Sequence, residues 1–295
     1  MRLIPLFLIF CVTVASFAQT LPPQPAAEEI TSGKADESYI TVLLVDGQGT
    51  HNWRETTPVL KRSLEETGLF EVQVVTAPEA GKRWEKFRPD FSAYDVTLLN
   101  YSGETWPESV REDLLRYVAQ GGGLVVYHAA ISAFPDWGEY LRMIGMSGWK
   151  GRNETSGPYW MWQEGKLVPQ NEPGPAGEVL PGRDYGIGIC DANHPITKGF
   201  PPLMKHKTDE LYTKLRGQAE GVTVLEQVEG WPVLWTVHYG KGRVLVMTYG
   251  HAGTQCRSVA FLAPFVRGMQ WAALGLVTIP VPPDIPTDTK AFTRP

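Results

Sequence analysis

Three of the six histidines each follow a stretch that predicts a β-strand. They are His51, His128 and His251, which come after the apolar runs 39–45, 124–127 and 244–248. An imidazole titrates near neutral pH and is a common transition-metal ligand, so it can serve in proton transfer or in metal binding. Because parallel strands bring their carboxyl ends to one edge of a sheet, we expect the three side chains to converge on one cleft at that edge.

Two neighbouring carboxylates, Asp209 and Glu210, could complete such a cleft. Glu210 is the preferred partner of the histidines, whereas Asp209 could equally belong to a helix amino terminus, where the macrodipole favours acidic side chains. His128 is the main candidate for proton transfer because it lies where a strand meets a following helix. The three histidines and Glu210 are therefore the candidate catalytic residues. They could instead bind a divalent transition metal, although no His-x-x-x-His spacing indicates such a site.

The elements before these residues alternate between strand and helix patterns. The run 39–45 is unbroken and β-branched, which is typical of a strand buried on both faces. Further strands are predicted at 71–75, 96–100 and 124–127, and helices after the Thr-Thr-Pro sequence at 56–58 and over 107–120. This alternation predicts an α/β fold with a doubly wound, mostly parallel sheet and helices on both faces.

The second half of the chain is less regular. Residues 145–188 are crowded with Gly, Pro, Trp and Tyr, which predicts long loops with a short strand or two. Strands at 222–228, 233–237 and 244–248 extend the sheet or form a small antiparallel patch, and a last helix is predicted over 258–274.

The amino terminus has the pattern of a secretory signal peptide over residues 1–18. We expect cleavage after Ala18 and a periplasmic or secreted product, with an uncleaved membrane anchor as the alternative. Residues 19–38 have the composition of a disordered leader, 39–278 form the folded domain, and 279–295 are a proline-rich tail. No membrane span is expected after the signal is removed.

Composition excludes several classes of protein. The chain has 295 residues, 43% of them hydrophobic, which is typical of a globular protein with a large core. Its net charge is −5, so we do not expect nucleic acid as a partner. Cys190 and Cys256 remain after signal cleavage and could form one disulfide, although we expect them to be independent.

Several short segments resemble the ThuA-like, or trehalose-utilisation, family. The resemblance rests on their order and spacing between residues 39 and 274: HNW at 51–53, GGG at 121–123, VYHAA at 126–130, DANHPIT at 191–197, DELY at 209–212, YGKGRV at 239–244 and GH at 250–251. It implies a flavodoxin-like sheet of the class I glutamine amidotransferase-like type and a role in carbohydrate metabolism.

The resemblance also bears on the type of reaction. In amidotransferases of this fold a cysteine nucleophile occupies a strand-to-helix turn. Here that turn reads Tyr127-His128-Ala129, so glutaminase activity is not expected. We predict an exported enzyme that performs histidine-based, optionally metal-assisted, acid/base chemistry on a sugar or keto-sugar derivative, as an isomerase, lyase or hydrolase. The alternative is a non-catalytic sugar-binding or partner-recruiting module.

A small-molecule carbohydrate would need polar and aromatic contacts. The predicted substrate-binding residues lie near strand ends or within the motifs: Asn52, Trp53, Tyr101, His194, Asp209 and Tyr212. Aromatic faces among them could stack on sugar rings, whereas for the nearby Trp106 we favour core packing. His194 precedes Pro195 and could instead anchor a loop. We expect the remaining histidines, His206 and His238, at the surface.

Overall fold

A computed structural model describes residues 39–295 of the chain, so the predicted signal peptide and leader lie outside the described residues. The strands are β1 (Ile40–Asp46), β2 (Phe70–Thr76), β3 (Val96–Leu99), β4 (Gly123–Tyr127), β5 (Tyr159–Gln163), β6 (Lys166–Gln170), β7 (Glu178–Ile189), β8 (Leu203–Thr213), β9 (Val222–Val228), β10 (Trp231–Tyr239) and β11 (Gly242–Met247). The helices are α1 (Trp53–Glu65), α2 (Glu108–Ala119), α3 (Gly138–Ile144), α4 (Gly253–Cys256) and α5 (Val259–Leu274).

Nine strands form one mixed sheet in the order β2-β1-β3-β4-β11-β10-β9-β7-β8. The first five strands in this order are parallel to one another. The predicted α/β fold is confirmed in this half, where β3 and β4 are buried along their whole length. Because β1, β4 and β11 run in the same direction, the segments that follow them leave the sheet at one edge.

The antiparallel half of the sheet is larger than predicted. Strands β10, β9, β7 and β8 pair antiparallel, and β5 and β6 form a separate hairpin. The expectation of long loops over 145–188 is wrong from Glu178 onward, where strand β7 begins. Strand β8 is not predicted by the sequence at all. Strand β7 is mostly exposed and contains Pro181 and Gly182, so it lacks the alternation of a half-buried strand.

Helices cover both faces of the sheet, as predicted. Side chains of α1 and α5 pack in one core layer, and those of α2 and α3 pack in the other. Helix α5 is buried on nearly all sides, which explains its continuous apolar sequence.

Helix α1 begins at Trp53, about one turn earlier than the Thr-Thr-Pro sequence at 56–58 predicts. The threonines there do not cap the helix but bind the ends of neighbouring strands. The Thr57 hydroxyl donates a hydrogen bond to Asp46 Oδ2 at 2.7 Å and accepts one from Asn100 Nδ2 at 3.0 Å. These contacts fix the start of α1 against the carboxyl edge of the sheet.

The proline-rich tail packs on the folded domain. Phe292 O accepts a hydrogen bond from Val259 N at 2.9 Å, and Thr287 O accepts one from Lys205 N at 2.8 Å. The described domain therefore continues to residue 295, past the predicted boundary at 278.

The two cysteines in the described residues are not bonded to each other, in line with the sequence expectation. Cys256 is buried, and its sulfur lies 3.0 Å from the Tyr127 hydroxyl. Between residues 39 and 295, no helix has the length and apolar character needed to cross a membrane.

Candidate functional site

Four side chains come together beyond the carboxyl ends of the parallel strands: His51, His128, Glu210 and His251. One nitrogen or oxygen atom from each lies within 4.8 Å of those of the other three. His51 lies in the loop after β1, His128 directly follows β4, and His251 lies in the loop after β11. The predicted convergence of the histidines is confirmed, and Glu210 reaches them from strand β8. We call this cluster the four-residue site.

His128 occupies the turn after β4 in a left-handed backbone conformation, with a φ of 47°. Residues other than glycine rarely adopt this conformation, and such strain is concentrated at functional sites. Its Nδ1 lies 2.7 Å from the carbonyl oxygen of Thr248. Because a carbonyl only accepts hydrogen bonds, Nδ1 carries the proton and Nε2 presents a lone pair to the site. The helix predicted to follow the strand is a short 3-10 helix, His128–Ser132.

The imidazoles of His51 and His128 are held in their neutral form. Burial lowers the pKa of His128 to about 3 and the pKa of His51 to about 4, and each value is lowered further by a neighbouring imidazole. The rings of these two residues meet edge to face, with centroids 4.5 Å apart. Neutral imidazole is the form that binds a metal, whereas a base with a pKa near 3 is poorly matched to proton transfer at neutral pH.

Glu210 lies at the centre of the cluster. Its Oε2 is 3.1 Å from His251 Nδ1, 3.8 Å from His51 Nε2 and 3.9 Å from His128 Nε2. Although Glu210 Oε2 and His251 Nδ1 are close, they do not form a hydrogen bond with each other, and both are buried atoms without any hydrogen-bond partner among the described residues. A cation between them would satisfy both atoms. Three imidazole nitrogens and one carboxylate oxygen form a donor set suited to divalent transition metals.

Tyr212 adds a hydroxyl group to the site. The hydroxyl oxygen lies 2.9 Å from His128 Nε2 and 3.3 Å from His51 Nε2. Burial raises the pKa of Tyr212 above its ordinary value of 10, so the phenol keeps its proton and donates a hydrogen bond to His128 Nε2. Tyr212 is 3% exposed and its ring stacks on His128, so the predicted stacking of Tyr212 on a sugar is wrong. Its hydroxyl is the part that faces the four-residue site.

Asp209 holds the segment that carries His251. The carboxylate accepts hydrogen bonds from the backbone nitrogens of Gly250 at 2.6 Å and His251 at 3.2 Å, and its Oδ2 lies 2.9 Å from His206 Nε2. Burial acts to raise the pKa of Asp209, but the hydrogen bond and charge of His206, together with His128 and the backbone hydrogen bond from Gly250, outweigh it and lower the pKa below 3.8. Asp209 lies inside β8, so the helix-terminus alternative is wrong. Its burial gives it a positioning role instead of the predicted substrate contact.

The predicted surface position of His206 is also wrong. Its side chain is fully buried, and Nδ1 lies 3.0 Å from the hydroxyl of Ser258. Lys205 and Lys207 on either side suggested a solvated stretch. Because side chains of a strand alternate between its faces, these lysines point away from the core and His206 points into it. The Lys-His-Lys alternation was the available signal.

Three further residues predicted to bind substrate are Tyr101, Trp53 and Asn52. Tyr101 is 2% exposed and packs against Trp106 in the core, so Tyr101 offers no face to a sugar and the packing role of Trp106 is confirmed. Trp53 is half-buried, with the Arg54 guanidinium 4.2 Å above its ring. Asn52 is exposed immediately before α1, next to His51.

His194 is an anchor of its own loop and not a pocket residue. Its Nδ1 accepts a hydrogen bond from Ile196 N at 3.2 Å, and its ring packs on Trp271 with centroids 5.1 Å apart. The carbonyl oxygen of Trp271 accepts a hydrogen bond from the Arg243 side chain. Arg243 is the ladder partner of Gly123, near the amino ends of β11 and β4. His194 therefore lies at the edge of the sheet opposite the four-residue site. The other remaining histidine, at 238, is exposed as predicted.

Comparisons with known proteins cover most of the described chain. The family model described as ThuA, trehalose utilisation, matches residues 41–272. The crystal structure of a ThuA-like protein from Parabacteroides merdae is 39% identical with a TM-score of 0.85, covering 87% of this chain and 98% of that one. A ThuA-like protein from Bacteroides uniformis is 15% identical with a TM-score of 0.57, and the match covers 87% of this chain and 97% of that one. This similarity shows a shared fold. No curated protein matches the sequence.

Proposed function

The chain belongs to the ThuA family of trehalose utilisation, and we propose that it is an enzyme that acts on a sugar or keto-sugar derivative with a divalent transition metal. The observation that carries this proposal is the pair of buried atoms at the four-residue site, Glu210 Oε2 and His251 Nδ1, which lack hydrogen-bond partners among the described residues. Burial of polar atoms without partners costs free energy, and a cation bound between them would offset that cost.

The proposed ligands are Nε2 of His51 and His128, Nδ1 of His251 and Oε2 of Glu210. A bound ion would supply Lewis-acid polarisation of a carbonyl or hydroxyl oxygen of the substrate. With Nε2 of His128 bound to the ion, the Tyr212 hydroxyl would no longer donate its hydrogen bond there and could donate it to an oxygen of the same substrate.

The proposed role of His128 differs from the sequence prediction. A pKa of about 3 and a fixed Nδ1 proton suit this imidazole to ligand binding more than to the main proton transfer. We assign proton acceptance instead to Oε1 of Glu210, whose side chain is 25% exposed. Acid/base chemistry thus remains in the proposal, but on the carboxylate.

Glutamine hydrolysis is not part of the proposal. The turn that carries the nucleophile in amidotransferases is occupied here by His128. Burial raises the pKa of the Cys190 thiol and of the Cys256 thiol to about 12, so neither of these would be a thiolate at neutral pH.

The proposed activity is tested by turnover measured with and without metal. The purified chain is stripped with a chelator, dialysed, and incubated with trehalose and its keto derivatives, with Zn²⁺, Mn²⁺ or Co²⁺ either added or omitted. We expect conversion, read by mass spectrometry, only in samples that contain metal. Turnover that is equal in stripped protein would contradict the metal role. Metal binding without conversion of any of these sugars would favour the non-catalytic binding module.

Export is a second part of the proposal, based on the signal-like sequence of residues 1–18. We expect amino-terminal sequencing of the protein from a periplasmic or culture fraction to begin at Gln19. Recovery of chains that begin at Met1 in the membrane fraction would contradict cleavage and favour the anchor.

A further inference from the structure

A cleft of about 500 Å³ lies between residues 149–154 and 174–177. Its lining includes Trp149, Lys150, Asn153 and Glu154. The Trp149 ring meets the ring of Tyr212 edge to face, with centroids 4.6 Å apart, and Tyr212 in turn stacks on His128 at 4.6 Å. One tyrosine therefore separates the cleft from the four-residue site.

The backbone of this wall is strained and tightly held. Trp149 and Lys150 have φ values of 60° and 49°, two consecutive left-handed residues of which neither is glycine. Such conformations persist only where the surroundings enforce them, and they are concentrated at ligand-binding positions. Trp149 N donates a hydrogen bond to Ala176 O at 2.7 Å. A Cβ atom on Gly177 would lie 2.8 Å from the Trp149 ring, so the close approach of that ring requires glycine there.

Lys150 connects the cleft to the loop after β3, which in turn packs on the loop that carries His51. Its ammonium group donates hydrogen bonds to the carbonyl oxygens of Ser102 and Gly103 in the loop after β3. That loop packs closely on the loop after β1, where a Cβ atom on Gly49 would lie 2.9 Å from Ser102 Oγ. An ammonium group has three donors, so one remains for a ligand.

We propose that this cleft is a sugar subsite that binds a second ring of the substrate while the reacting ring lies at the four-residue site. The proposal rests on the proposed function. An aromatic side chain can pack against the C–H face of a pyranose, and ammonium, amide and carboxylate groups can bind its hydroxyls. The lining supplies one side chain of each kind: Trp149, Lys150, Asn153 and Glu154.

The test compares a two-ring and a one-ring probe. Binding of trehalose and of glucose to the metal-loaded full chain is measured by titration calorimetry for wild type, Trp149→Ala and Trp149→Phe. We expect Trp149→Ala to weaken trehalose binding at least about tenfold and to change glucose binding much less, because only the second ring occupies the cleft. Trp149→Phe retains an aromatic face and should recover part of the affinity.

Controls separate this proposal from the proposed function. Trp84→Ala removes a half-buried tryptophan that packs on Phe87 and does not line the cleft, and it should leave both affinities unchanged. Metal content, measured on every variant, should equal that of the wild type. Equal trehalose affinity in Trp149→Ala and wild type, or no trehalose binding to the wild type, would overturn the subsite while leaving the metal site standing. Absence of metal in the wild type would overturn the proposed function itself.

Discussion

The His128→Ala variant is expected to bind a divalent transition metal at least about 100-fold more weakly than the wild type, and its turnover should fall by at least about the same factor. His128 is the least exposed of the three proposed imidazole ligands, and its hydrogen bond to Thr248 O fixes the nitrogen it presents. Metal affinity is measured by competition with a chromophoric chelator.

A second variant at position 128 is needed because the left-handed backbone conformation of His128 could itself be disturbed by a substitution. Alanine is disfavoured at a φ of 47°, so a loss in His128→Ala could come from a disturbed turn. Asparagine tolerates this conformation but is too short to place a nitrogen where His128 Nε2 lies. We therefore expect His128→Asn to keep the thermal midpoint closer to that of the wild type and to lose metal just as fully.

The matched control is His238→Ala, which removes an exposed histidine of β10. It should change neither metal affinity nor turnover. Wild-type metal affinity in both His128 variants would exclude His128 as a ligand.

The Asp209→Asn variant is expected to lower the free energy of unfolding at pH 7 by about 3–5 kcal/mol and metal affinity by about 10–100-fold. The carboxylate is buried and binds His206 together with the backbone nitrogens of Gly250 and His251. An amide nitrogen cannot accept these hydrogen bonds, so the segment that carries His251 would lose part of its support. Denaturant unfolding and chelator competition measure the two effects.

The pH dependence of the stability effect follows from the direction of the Asp209 pKa shift. The folded-state pKa is lowered below 3.8, so the carboxylate stabilises the native state above that pH, and this stability is lost as pH falls through the folded value. The difference between wild type and Asp209→Asn should therefore be complete at pH 7 and shrink in acid. Asp184→Asn, at an exposed aspartate that pairs with Lys207, is the control and should have a much smaller effect. Unchanged metal affinity in Asp209→Asn would exclude its positioning role.

The parallel half of the fold could be predicted because its strands are buried on both faces. Burial of that kind demands continuous apolar runs, which are visible in β1, β3 and β4 without knowledge of their neighbours. The parallel direction then required the segments after β1, β4 and β11 to share an edge, and this was enough to bring the three histidines together.

Other parts of the site depend on contacts between distant segments. Strands β7 and β8 are twelve and eleven residues long and are largely polar or exposed, so their own sequences carry little strand signal. The role of Asp209 could not be predicted because its partners, Gly250 and His251, lie more than forty residues away along the chain. Trp149 was missed for the same reason: its neighbour Tyr212 belongs to β8.

The most direct test of the metal site is a crystal structure of the metal-loaded full chain with anomalous data collected at the absorption edge of the bound metal. We expect one anomalous peak at the four-residue site, about 2.0–2.2 Å from Nε2 of His51 and His128, Nδ1 of His251 and Oε2 of Glu210. A peak elsewhere, or no peak in crystals grown with excess metal, would contradict it.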